Sequence, residues 1–246
     1  MTDKEFFVEA VRREGATFLQ AARGVDLTAP VPPCPKWTVW DLVRHLGVVY
    51  DWQRRHFVRG ETSEPAHERT TAPEGEAVYA WFAEQHAAVL DSLAGLDPET
   101  PAWNWSVQPE QGAFWHRRMA QETAVHRWDA QSAAALPQPV DPELAADGVA
   151  EVLEVFLPGG RRMGPEDADG VVRLVATDTG DEWAVRVRGS EVALLDTGTL
   201  LDAGPGAQAA AAGTASDLLL ALWGRVRFDV LTVEGDPYLL SALRTG

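Results

Sequence analysis

The sequence predicts an α+β chain made of two segregated units, a helical N-terminal half followed by a smaller half that mixes strands with short helices. Three observations predict it. Apolar residues recur at helical intervals over four long stretches before residue 136. Beyond residue 160 the pattern changes to short alternating or continuous apolar runs separated by turn-prone residues. Between the two, a proline-punctuated stretch at 137–142 and the glycine-rich string LPGGRRMGPEDADG mark a boundary near 136–160. The units are therefore expected at residues 1–140 and 141–246.

Taken in order, residues 4–22 place Phe7, Val11, Phe18, Leu19 and Ala22 at helical spacing. The connection TAPVPPCPKW is too rich in proline to be helical inside. Thr38 then reads as an N-cap, with Asp41 three residues on as a short-armed capping box, opening a helix to about residue 58. A third helix is expected over 77–96, carrying Val78, Trp81, Phe82, Val89, Leu90 and Leu93, and a fourth over 112–135. Four helices of this length with shortish loops predict an antiparallel bundle. A shorter helix is expected over 142–156. VVRLVAT and EWAVRVR, joined by the turn-prone DTGD, read as a hairpin. EVALLDTG reads as a third strand and AQAAAAG as a fourth, although alanine is a poor strand former. A helix at 215–223, the strand VLTVEG and a helix at 237–243 complete the chain.

Composition narrows the function. The formal charge of −16 argues against nucleic acid and against an anionic membrane surface as partners. The longest apolar run, AQAAAAGTASDLLLALW, is too short for a membrane span and contains Asp217. The acidic, amphipathic N-terminus lacks the basic start and apolar core of a secretory signal, so the cytoplasm is the expected compartment. A lone cysteine, Cys34, excludes an internal disulfide framework. Seven of the ten tryptophans fall at or before Trp115, which predicts a tightly packed first half with some aromatic surface for a pocket.

The string QETAVHRWDAQ carries the candidate chemistry. Glu122 and His126 are four residues apart, so their side chains share one helix face and could ligate one ion. Such a pair is more often simply solvated. His45 adds weight, because it lies among Leu42, Val43, Leu46, Val48 and Val49 on a face expected to turn inward, although a buried histidine bonded to a carbonyl is the commoner outcome. Together the three would leave coordination positions open, as catalytic rather than structural sites do. Trp115, Met119 and Asp129 fall near the same face. His56 is expected to be solvated at a helix end, His67 lies in a loop, His86 in a polar stretch and His116 beside Arg117, and none has an equally good partner spacing. Cys34 reads as a small buried residue rather than a nucleophile.

At these residues a family resemblance appears. PCPKWTVWDLVRHL, QETAVHRWDAQ and ASDLLLALWGR…VEGDPYLL resemble three signatures of the mycothiol-dependent maleylpyruvate isomerase family, in order and over nearly the whole chain. The resemblance implies a DinB-like metal-binding four-helix bundle followed by a sterol-carrier-like α/β domain. It implies a divalent metal, usually zinc, on His45, Glu122 and His126, the same three residues the spacing selects. Lys36 departs from the family, which often has glycine before the tryptophan. The implied cosubstrate is mycothiol, whose thiolate would either isomerise a maleylpyruvate-type cis double bond or transfer to a small electrophile. A carboxylate substrate would need a cationic partner. Arg225, in the LWGR block, is the candidate catalytic residue and Arg227 the second, against the alternative that each is a surface cation near a helix end. A thiol-independent metal hydrolase and a non-catalytic small-ligand binding protein are the competing readings.

Overall fold

The computed structural model describes residues 3–66, 70–195 and 206–245, so His67 and the end of the EVALLDTG segment lie outside the described residues. The chain divides into two compact units, residues 1–138 and 139–246. The first holds four long helices, α1 (Asp3–Arg23), α2 (Val39–Phe57), α3 (Ala77–Gly95) and α4 (Gly112–Ala133). Helix α1 packs against α4 and α3, and α2 against α3 and α4. No helix among the described residues is long and apolar enough to cross a membrane.

The start of α2 is fixed locally, as the sequence predicts. Thr38 Oγ1 accepts the Asp41 backbone N–H at 3.2 Å, and Asp41 Oδ2 accepts the Thr38 N–H at 3.0 Å. The proline-rich segment before it is more ordered than a bare loop. Val31 N–H donates to the Trp37 carbonyl at 2.9 Å and Val39 N–H to that of Ala29 at 3.0 Å, folding 29–39 into a tight paired turn. Val39, Leu42, Val43, Leu46 and Tyr50 of α2 are then fully buried. Gly47 lets α3 press close, since a Cβ there would lie 2.3 Å from Cζ3 of Trp81.

Helix α4 is buried along most of its length, polar residues included. Several of those polar groups are paired, with neighbouring helices or along α4 itself, as burial requires. Arg127 Nε donates to Glu14 Oε2 of α1 at 2.6 Å, and its Nη1 donates to Gln131 Oε1 and the Gln138 carbonyl. The Tyr50 hydroxyl of α2 lies 2.7 Å from Thr123 Oγ1, which donates onward to the Met119 carbonyl. The helix ends in a Schellman arrangement, with Leu136 N–H on the Gln131 carbonyl and Ala135 N–H on that of Ser132. Ala135 occupies the left-handed position at φ 57°, where glycine is usual.

The second unit begins with α5 (Pro142–Glu151), capped by the Asp141 side chain on Leu144 N–H. The helix expected to continue to residue 156 instead widens into a π-turn over Val152–Phe156, closed by Leu157 N–H on the Val152 carbonyl. The strands are β1 (Asp169–Ala176), β2 (Glu182–Arg188), β3 (Glu191–Leu195), β4 (Ala209–Gly213) and β5 (Thr232–Gly235), in the order β3-β2-β1-β4-β5. The β1/β2 pair is the expected hairpin, β3 extends it by pairing antiparallel with β2, and β1 and β4 run parallel. The alanine-rich β4 is thus an interior strand, with Ala209 and Ala211 buried. Helix α6 (Ala215–Leu222), with Leu218, Leu219 and Leu222 fully buried, packs on α5 and on β1 and β4, and α7 (Pro237–Ser241) packs on the same two strands.

Ala135 yields a stability test. A left-handed conformation costs a non-glycine residue about 1–2 kcal/mol, and glycine gives back roughly 0.5–1 kcal/mol through the freer unfolded chain. Ala135→Gly should therefore stabilise the protein by somewhat under about 1 kcal/mol, read as a higher urea midpoint with an unchanged m-value.

Candidate metal centre

His45 of α2 and Glu122 and His126 of α4 converge in the first unit. Glu122 Oε1 lies 3.2 Å from His45 Nε2 and 3.3 Å from His126 Nε2. One ligand atom from each residue falls within 4.8 Å of the others, the one such group of histidine, cysteine or acidic side chains among the described residues. Four donors about 2.1 Å from a tetrahedral ion are separated by roughly 3.4 Å, so both measured separations match the edges of such a polyhedron. Two neutral imidazoles and one carboxylate also suit zinc and several other divalent ions.

The candidate ligands are held from behind. Asp129 Oδ2 accepts the Nδ1–H of His126 at 2.9 Å, which leaves Nε2 of the neutral ring as a lone-pair donor facing Glu122. Asp129 is fully buried, and Cys34 Sγ sits 3.6 Å from the same Oδ2. On the other side, Arg118 Nη2 donates to Glu122 Oε2 at 3.2 Å, one helical turn before it. The Trp37 ring lies 4.7 Å from the His45 ring and stacks at 5.9 Å on that of His126. His45 is the open side of the cluster, with its side chain 33% exposed against 8% for His126.

Electrostatics bind the cluster together. Burial favours the neutral form of Glu122, but the hydrogen bonds from His126 and His45 and the charges of His126 and Arg118 overcome it and hold the carboxyl well below its ordinary range. Burial likewise disfavours a charged His126, yet the Asp129 and Glu122 carboxylates outweigh it and raise the imidazole to about 9.

The other sequence candidates are placed as follows. His56 packs edge-on against Trp52 at 4.3 Å and is half-buried, a correction to its expected solvated role. His86 and His116 are pinned to backbone carbonyls, those of Val11 and Leu93, each at 2.9 Å. Trp115 and Met119 are core residues, with Trp115 Nε1 donating to the Trp103 carbonyl. Arg225 belongs to the second unit, where it is half-buried, donates to the Trp223 carbonyl at 2.9 Å and lies 5.8 Å over the Trp223 ring. Arg227 is exposed and ion-paired with Asp229. Sequence reasoning noted Asp129 only as a neighbour on the face and passed over Arg118 and Trp37. The i, i+4 and i, i+3 steps from Arg118 to Glu122 and from His126 to Asp129 were the available signal.

A helical unit with three convergent nitrogen and oxygen donors, followed by a unit built on a mixed sheet, defines a two-part α+β protein with a candidate cation site. Its family follows from comparison with known proteins. The profile described as the mycothiol maleylpyruvate isomerase N-terminal domain matches residues 8–131, and that of the MDMPI C-terminal domain matches 143–242. The chain belongs to the mycothiol maleylpyruvate isomerase family. Among solved structures it is similar to a crystal structure of a histidine-to-alanine mutant of the mycothiol-dependent maleylpyruvate isomerase, with a TM-score of 0.63 and 11% identity over 94% of this chain and 92% of that one. A second crystal structure of the mycothiol-dependent maleylpyruvate isomerase gives a TM-score of 0.57 at 14% identity, with the same coverage. At such identities the likeness shows the fold. Sequence comparison with curated proteins gives no match.

A cation held at this candidate site would require a neutral His126, so its apparent affinity should rise about tenfold per pH unit below the raised value and level off above it, that value being about 9. The sign for the cation-free fold is opposite. The raised imidazole contributes stability in full below its ordinary 6.5, and that contribution is lost as pH rises toward about 9. Cation titrations and thermal melts from pH 6.5 to 9.5 check both, and a flat affinity profile would contradict the assignment. Asp129→Ala should weaken cation affinity by about 10–100-fold while the far-ultraviolet dichroism stays unchanged.

Proposed function

We propose that this chain is a thiol-dependent isomerase of the maleylpyruvate type, using mycothiol as cosubstrate and a divalent cation, zinc by family resemblance, held by His45, Glu122 and His126. The observation that carries the reading is the approach of both imidazole Nε2 atoms to one oxygen of Glu122, at 3.2 and 3.3 Å. Membership of the family supports the thiol and the isomerisation. A cation bound by these three donors would lower the pKa of a thiol brought to it, which in water lies near about 8.5, and so supply a thiolate at neutral pH.

The protein's own groups do the rest. Asp129 keeps His126 in the tautomer that presents Nε2, and Arg118 fixes the rotamer of Glu122. The Trp37 ring stacks on the His126 imidazole and shields it, while touching His45 only at a tilt. The half-exposed side at His45 is the route for thiol and substrate. In the reaction itself, the thiolate sulfur adds to a cis carbon–carbon double bond and pushes the electron pair toward the conjugated carbonyl. Rotation about the new single bond and return of the electron pair then expel the thiolate and leave the trans isomer. Transfer of the thiol to a small conjugated electrophile would share the first step and end instead with a proton from water taken up by the enolate, the sulfur staying attached. Arg225 is proposed as partner of the substrate carboxylate, on the strength of its LWGR block.

Metal analysis should find about one equivalent of divalent ion per chain. His126→Ala should abolish both metal retention and thiol-dependent turnover, and full activity in that variant would refute the proposal. Arg225→Ala should keep the metal and raise KM for the carboxylate substrate without changing that for the thiol. Turnover in the absence of any thiol would instead favour hydrolysis.

A further inference from the structure

Glu122 has two oxygens, and only one faces the imidazoles. Oε1 lies between His45 Nε2 and His126 Nε2, while Oε2 receives the guanidinium of Arg118 at 3.2 Å. Arg118 is the residue one helical turn earlier on α4, and its side chain is only 5% exposed. Helix geometry and burial therefore hold the guanidinium where it meets the carboxylate from the side away from the histidines. A carboxylate can give an ion one oxygen or two. When its second oxygen is engaged by a fixed, permanently charged donor, swinging that oxygen toward an ion would break a charge-assisted hydrogen bond in a largely buried setting.

We propose that Arg118 is a positioning residue that confines Glu122 to single-oxygen coordination and so keeps a coordination position free for the thiol. The inference rests on the cation site proposed above. It assigns to Arg118 a role in the vacancy rather than in the affinity of the site. An ion held by two imidazole nitrogens and one carboxylate oxygen has room for an incoming sulfur. An ion that also takes Oε2 has that room partly filled by the protein itself. The arginine acts through Glu122, and its loss should leave the ion in place.

The probe is Co2+, whose visible absorption reports coordination number, added to the metal-depleted full-length protein. Wild type should give the intense bands of a four-coordinate ion. Arg118→Met, of similar length and unable to donate, should bind Co2+ at least as tightly but with the weak bands of higher coordination. Its affinity for a small thiol titrated onto the cobalt protein should fall by about tenfold or more. In turnover the thiol KM should rise by a similar factor with a smaller change in kcat. Arg118→Lys, which retains a donor, should restore most of the spectrum and of the thiol affinity. If the methionine variant does not fold, Arg118→Ala adds no bulk and carries the same expectation. Cobalt bound with a wild-type spectrum and unchanged thiol affinity in either donor-free variant overturns the inference about Arg118 alone. Wild-type protein that takes up no cation overturns the site itself, and this inference with it.

Discussion

A carboxylate that is largely withdrawn from water must find positive partners, and the site depends on how Glu122 finds them. Its donors come from two helices, with Arg118 and His126 on α4 and His45 on α2. None of the three contacts is an apolar packing contact. The cluster is assembled by charge neutralisation in a region where unpaired charge is costly, and the directions of the pKa shifts follow from that. A proton on His126 supplies the balancing charge in the cation-free protein, so the atoms of the candidate ion site also form a stable polar cluster by themselves.

The precision of the cluster is inherited from the register of α4. A helix buried on nearly all sides could slide or rotate if its contacts were only apolar. The Arg127–Glu14 ion pair against α1 and the Tyr50–Thr123 hydrogen bond against α2 are directional and remove that freedom. They flank Glu122 and His126 in sequence, Thr123 one residue after the first and Arg127 one after the second. The pairings that fix the helix therefore also fix where its two donors point.

Much of this was legible in the sequence. Period-3.6 apolar spacing located α1 to α3, the Thr38/Asp41 box located the start of α2 to the residue, and the DTGD turn identified the β1/β2 hairpin. The Glu122–His126 spacing and the inward face of His45 selected the three donors that the fold brings together. What was not legible has physical reasons. The side chains of α4 are polar on several faces because partners on the same helix, on α1 and in the preceding loop satisfy them, so hydropathy alone could not show that Arg118, Asp129 and Arg127 are buried. The Trp37 and Cys34 contacts depend on the paired turn over 29–39, whose backbone hydrogen bonds no residue pattern announces. The π-turn at Val152–Phe156 looked like ordinary helix because its residues are ordinary helix formers. The alanine strand β4 was readable only as a weak possibility, since its place in the sheet interior favours small side chains that intrinsic strand propensity penalises.

The glycine at position 47 has a consequence for the helix that carries His45. The indole of Trp81 on α3 seats where a Cβ at that position would stand, 2.3 Å from its Cζ3. Any larger residue there would have to push α3 off α2 or turn the indole aside, only two residues along the helix from the imidazole. A contact made entirely of carbon thus limits what substitutions the polar cluster can tolerate nearby.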